Sequence, residues 1–187
     1  LNSVNKDKNN INNMNNSNNK NSLFYYFNNN FYNIKTQTDL DDCLDLIINN
    51  EKQPDYEVKE IYNFTMILPE CYYGEGSFTK WIRVGWALKN NHRDDNMFII
   101  WMKFSSQYEK FDFKDIAYYY NLWNTFQEKN PDGLTKRSIM FWAKIENNNE
   151  KKYEAVRDET ISYYIEKTLD TMIQKDKVTE FDLAIVL

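Results

Sequence analysis

From residue 38 to residue 174 the apolar side chains recur every three or four positions, segment after segment, and this single period fixes most of what the chain can become. A strand needs period two, and no stretch shows it convincingly. Capping residues recur between the segments. In TDLDDCLDLII, Thr38 with Asp41 three residues on makes a capping-box-like start, and Leu40, Cys43, Leu44, Ile47 and Ile48 share a face, predicting a helix over 39–49. Asp55 can cap a second helix carrying Val58, Ile61, Tyr62 and Met66, which Pro69 and the turn ECYYGEGS stop. Ser77 opens a third, where Trp81, Val84, Gly85 and Leu88 form one stripe and Ile82 and Trp86 a second.

Asp95 or Asn96 caps a fourth helix with Met97, Ile100, Trp101, Phe104 and Tyr108 on one side. Asp112 caps a fifth over 113–127, with Ile116, Ala117, Tyr120, Trp123 and Phe126 inward. After the turn NPDGLT, Thr135 caps KRSIMFWAKIE, where Ile139, Met140, Trp142 and Ala143 are available for packing. A last helix spans about 150–173, through Tyr153, Val156, Ile161, Tyr164, Ile165, Leu169 and Met172. With only 4 glycines and 3 prolines in 187 residues, the expectation is an all-α, compact bundle of six to seven helices. Gly85, in mid-helix, costs about 1 kcal/mol relative to alanine, so a neighbouring helix is expected to approach closely there, with Trp81 wrapping the contact.

The flanks differ in kind. Residues 1–36 are dominated by asparagine and form an expected low-complexity linker, because such a tract buries too little apolar surface to offset the entropy of ordering. Within it, the aromatics of LFYYFNNNFYNI, residues 23–34, either dock on a neighbouring surface or form a sticky low-complexity stretch. The helical domain is expected over 37–174, and 175–187 as the start of a following region. The absence of an initial Met suggests an excised fragment.

Several chemistries lack their residues. Cys43 and Cys71 stand apart with a single histidine, which supports neither a zinc site nor a disulfide framework. His92 sits in the polar loop NNHRDD, and Asp94 and Asp95 are helix-start charges favoured by the macrodipole; no catalytic or metal-binding residue is named. The GEG at 74–76 lacks a third glycine and a preceding strand. No run of about 18 apolar residues and no signal-peptide core occurs, so no membrane partner is expected and an intracellular location is. The sequon Asn63-Phe64-Thr65 is then a chance match.

Taken together, WIRVGWALKN, the pair Trp101 and Phe104, Leu122-Trp123 and GLTKRSIMFWAK resemble the helical primase C-terminal domain of the second type, over roughly residues 56–147. That family occurs in viral and plasmid primase-polymerases, particularly the primase-helicases of nucleocytoplasmic large DNA viruses. The resemblance implies an accessory role: engaging single-stranded template DNA or nucleotide during primer synthesis and coupling the neighbouring primase and helicase domains of one polypeptide. It also implies a viral replication site in the host cell cytoplasm. The tail TEFDLAIVL resembles the opening of the region before a superfamily 3 helicase. ATP and a divalent metal are then expected of the parent protein, whereas this fragment, with neither an Asp-x-Asp nor a G-x-x-x-x-G-K-[ST], is expected to be non-catalytic and to need no cofactor.

Charge suggests where DNA would lie, although the net charge is −5. Residues 78–110 hold six Lys or Arg against three acids, residues 133–157 the same, and residues 37–60 eight acids against two lysines. If the third and sixth helices adjoin, Arg83 and Lys89, with Lys80 and Arg93, join Lys136, Arg137 and Lys144 in a groove able to hold phosphates. Lys136 and Arg137 lie in a first helical turn, where free N–H groups also attract anions. Trp86 and Trp142 are the tryptophans that can expose a face for base stacking. The competing reading is a solvated surface on a protein-interaction or oligomerisation connector that does not touch DNA.

Overall fold

The computed structural model describes residues 31–48, 56–91, 96–126, 133–146 and 150–175. Seven α-helices follow one another: α1 (Gln37–Ile48), α2 (Tyr56–Met66), α3 (Phe78–Lys89), α4 (Asn96–Ser105), α5 (Ile116–Thr125), α6 (Lys136–Glu146) and α7 (Glu150–Lys175). Three single 3-10 turns accompany them, Phe31–Asn33 ahead of α1, Glu70–Tyr72 between α2 and α3 and Phe113–Asp115 between α4 and α5, and the described residues contain no strand. The fold is all-α, as the period requires.

Helix α4 is the axis of the bundle. Its residues Met97 to Met102, Phe104 and Ser105 are all buried, because a helix that is apolar all round has no side to give to water. Helices α1, α2, α3 and α5 pack around it, while α6 lies on α2 and α3, and α7 on α2 and α6. Each large apolar side chain buried this way contributes about 1.5–3 kcal/mol, which is what makes α4 the core of the fold. The polar end is satisfied: the Ser105 hydroxyl donates to the Trp101 carbonyl at 2.7 Å and accepts from the Trp81 indole N–H at 2.8 Å.

Gly85 is where α3 meets that axis. A Cβ there would lie 2.8 Å from Cε2 of Phe126 and 2.9 Å from Cε2 of Trp101, closer than carbon atoms pack. Trp81 stacks on Trp101 with ring centroids 4.4 Å apart. The mid-helix glycine thus admits two rings.

Local differences from the sequence reading have plain causes. The capping box at the start of α1 is made by Thr36 and Asp39, two residues earlier than Thr38 and Asp41: the Asp39 N–H donates to Thr36 Oγ1 at 3.2 Å, and the Thr36 N–H to Asp39 Oδ2 at 2.9 Å. Both pairs have the same spacing, and either start leaves Leu40, Cys43, Leu44 and Ile48 on one face, which is buried. Ser77 precedes α3 without a side-chain capping bond. Asp112 caps the 3-10 turn ahead of α5, accepting from the Lys114 N–H at 2.9 Å. Phe31 and Ile34, in the expected linker, are buried, and Phe31 packs its ring 5.2 Å from Phe98 and 4.8 Å from Tyr120. Ile161 and Leu169 of α7 are exposed, because α2 and α6 meet that long helix from one side. Asp55, His92, Arg93, Asp94, Asp95, residues 1–30 of the leader and the tail 176–187 lie outside the described residues.

Candidate functional site

Helices α3 and α6 do adjoin, and the junction is built from the end of one and the start of the other. Asn91 closes α3 by donating from Nδ2 to the Ala87 carbonyl at 2.6 Å, and its Oδ1 accepts from the Lys136 N–H at 3.0 Å, the first amide of α6. Asn90 Nδ2 donates to the Leu134 carbonyl at 2.8 Å. Thr135 caps α6 as its sequence predicts, accepting from the Arg137 N–H at 3.3 Å. The first amides of α6, expected to attract anions, are therefore already taken by Asn91 and Thr135. That part of the expectation is corrected.

The cations on the two helices fall into different surroundings. Arg83 places its guanidinium carbon 5.4 Å from the centroid of Trp142, and Lys89 its ammonium 4.8 Å from that of Trp123. Lys80 lies 4.5 Å over Tyr72 and pairs with Glu146 at 3.1 Å. Lys136 reaches across to α2, 2.9 Å from Glu57 and 3.1 Å from Glu60. These side chains hold helices together, since a cation over a ring or between two carboxylates is attracted wherever its neighbours are fixed. The Tyr72 hydroxyl donates to Glu146 at 3.2 Å, and burial, then the Glu146 carboxylate, push its ionisation well above the ordinary tyrosine range.

Arg137 and Lys144 differ. Both are exposed, and neither forms an ion pair with a described residue. They share their side of α6 with Phe141, 59% exposed, and Ile145, 52% exposed, at the spacing i, i+4, i+7, i+8. The one acid of α6, Glu146, is turned to Lys80 and Tyr72. Of the predicted stacking residues, Trp142 sits between Arg83 and Tyr72, the latter ring 5.8 Å away, and Trp86 is half-buried with Phe126 edge-on at 6.3 Å. The predicted groove cations are thus split: Arg83 meets Trp142 inside the junction, and Arg137 and Lys144 face outward.

Phe141 and Ile145 were missed as surface residues, and the sequence holds a reason. Residues 139–142 are Ile-Met-Phe-Trp, four apolar positions that span every side of a helix, so the phase of the buried stripe cannot be read from them. Only the packing of Ile139 and Ala143 against the bundle settles it. Among the described residues no group of three or more His, Cys, Asp or Glu converges on a point where a metal ion could sit, and no helix is long and apolar enough to cross a membrane.

Residues 66–143 match the family model Primase C terminal 2 (PriCT-2). No curated protein and no solved structure matches the chain. The matched segment runs from the last residue of α2 to the third turn of α6 and takes in α3, α4 and α5 whole. The match supports a primase C-terminal helical domain over this segment, a unit associated with primases in DNA replication.

Proposed function

We propose that this primase-associated domain engages single-stranded template DNA during primer synthesis, through the outward face of α6, and joins primase to helicase within a larger viral polypeptide. The observation that carries the reading is the pair Arg137 and Lys144, exposed on a face to which α6 contributes no acid. Phosphate binding needs cations that water alone surrounds, because a lysine already held by two carboxylates must give them up first. Lys136 is in that position, and Arg83 and Lys89 lie over rings, so we assign them to positioning α3 and α6. In the larger protein, ATP and divalent metal serve the catalytic domains, at a replication site in the host cytoplasm.

A second reading rests on the same face. Phe141 and Ile145 are apolar and exposed, which suits a connector that docks a neighbouring domain. Salt separates the two. The 187-residue chain with Arg137→Ala and Lys144→Ala is titrated with a labelled single-stranded oligonucleotide across a range of salt concentrations. Each lost phosphate contact should lower the salt slope by about 0.7, whatever the base sequence. Unaltered affinity and slope in a variant with the parent's circular dichroism would leave the connector as the better account.

A further inference from the structure

We infer that Phe141 is a base-stacking platform and that it makes the outward face of α6 selective for single strands over duplex. The inference rests on the template-binding reading above and adds to it the residue that reads the state of the strand. Phe141 follows Arg137 by one helical step of four and precedes Lys144 by one of three, so both cations neighbour its ring on the same side of the helix. At about 1.5 Å rise per residue, the two cations stand roughly 10 Å apart along the axis with the ring between them. A strand whose phosphates meet Arg137 and Lys144 must pass over that ring.

What a strand can do there depends on whether its bases are free. In a duplex the base faces are already stacked on one another, and the ring meets only sugar and phosphate. In a single strand one base can turn onto the phenyl face, a contact that tolerates any sequence because every base has a π-face. No other described aromatic ring lies against Phe141, whereas Trp142 beside it is engaged by Arg83 and Tyr72. Ile145, one turn further on, extends the apolar surface under the base. Charge complementarity favours nucleic acid over a protein partner, since the cations stand on both sides of the ring and Glu146, the only acid of the helix, faces the other way.

The test compares single-stranded and duplex DNA of one sequence, by fluorescence anisotropy, for the parent chain, Phe141→Ala, Phe141→Trp and the double variant Arg137→Ala with Lys144→Ala. Phe141→Ala should weaken single-strand binding roughly tenfold, leave duplex binding unchanged and leave the salt slope unchanged, because no charge is lost. Phe141→Trp should restore the preference. If the double variant lowers the slope while Phe141→Ala binds both substrates like the parent, α6 holds backbone alone and the stacking inference fails while the template reading stands. Equal losses on single strand and duplex would also overturn it, making Phe141 a general contact. If the double variant changes nothing and Phe141→Ala instead abolishes self-association in sedimentation, both readings fall and the face is a protein interface.

Discussion

The contact of α3 on α4 and the outward face of α6 are made from the same materials, aromatic rings and cations, and use them to opposite ends. Around Gly85 the rings of Trp81, Trp101, Trp123 and Phe126 close on one another, with Trp101 and Trp123 5.7 Å apart and the Lys89 ammonium over Trp123. Packing there outweighs polar loss: the indole N–H groups of Trp101 and Trp123 are buried with no acceptor among the described residues, at a cost of about 1–3 kcal/mol each. On α6, Phe141 stands between two cations with nothing described to cover them. Residue type therefore says little about role. A cation whose neighbours already satisfy it is part of the scaffold; one that water alone satisfies is available to a ligand.

The largest effect expected from breaking this contrast is at Gly85. Leucine there must push Phe126 or Trp101 aside, and both rings are locked by others, so Gly85→Leu should destabilise the domain by about 1–3 kcal/mol despite the gain in helix propensity. Urea unfolding followed by tryptophan fluorescence measures it. A variant as stable as the parent would mean that the rings have room to move, and the interior would lose its claim to be the rigid half of the comparison.

A smaller effect is expected at Lys136, which lies between the two regions. Its ammonium bridges α6 to Glu57 and Glu60 at part-exposed positions, so Lys136→Met should cost about 1 kcal/mol or less. The pH dependence has a definite sign. Burial works to lower the lysine's ionisation, but the Glu57 and Glu60 carboxylates outweigh it and hold the folded value above the ordinary 10.5. Stability from this lysine is therefore fully present below pH 10.5 and lost as pH rises through the raised folded value. The gap between parent and Lys136→Met should close in alkaline unfolding experiments and stay constant near neutrality. A gap independent of alkali would show that the methylene stem, and not the charge, carries the contact.

The interior was legible in the sequence because its signals reinforce one another. A glycine in mid-helix, tryptophans at i and i+5 around it and a helix that is apolar on every side admit one arrangement, which Gly85, Trp81 and α4 adopt. Cap register was less legible: Thr36 and Thr38 each have an Asp three residues on, and both starts put the same apolar residues on one face, so the period does not choose between them. The outward site was legible in its charges and not in its ring. Counting cations over residues 133–157 pointed to Arg137 and Lys144, but the count cannot tell that Lys136 next door is clasped by a distant helix. Nor can the run Ile-Met-Phe-Trp say that Phe141, and not Trp142, is the ring left open.

The smallest expected effect is the one that sharpens the comparison most. Arg137→Ala, Phe141→Ala and Lys144→Ala, singly, should each change the unfolding free energy by no more than about 0.5 kcal/mol, because an exposed side chain without a partner in the fold has no contact to lose. Alanine is the best helix former, so small gains are as expected as small losses. Thermal and urea unfolding on the same preparations used for DNA titration give both numbers from one protein. A loss of 1 kcal/mol or more at Phe141 would mean that the ring is covered in solution by some part of the chain, and the residue would move from the open half of the comparison to the closed one. Near-neutral stability together with weakened binding separates ligand contact from scaffold, a division that the Gly85 and Lys136 variants, by losing stability first, cannot make.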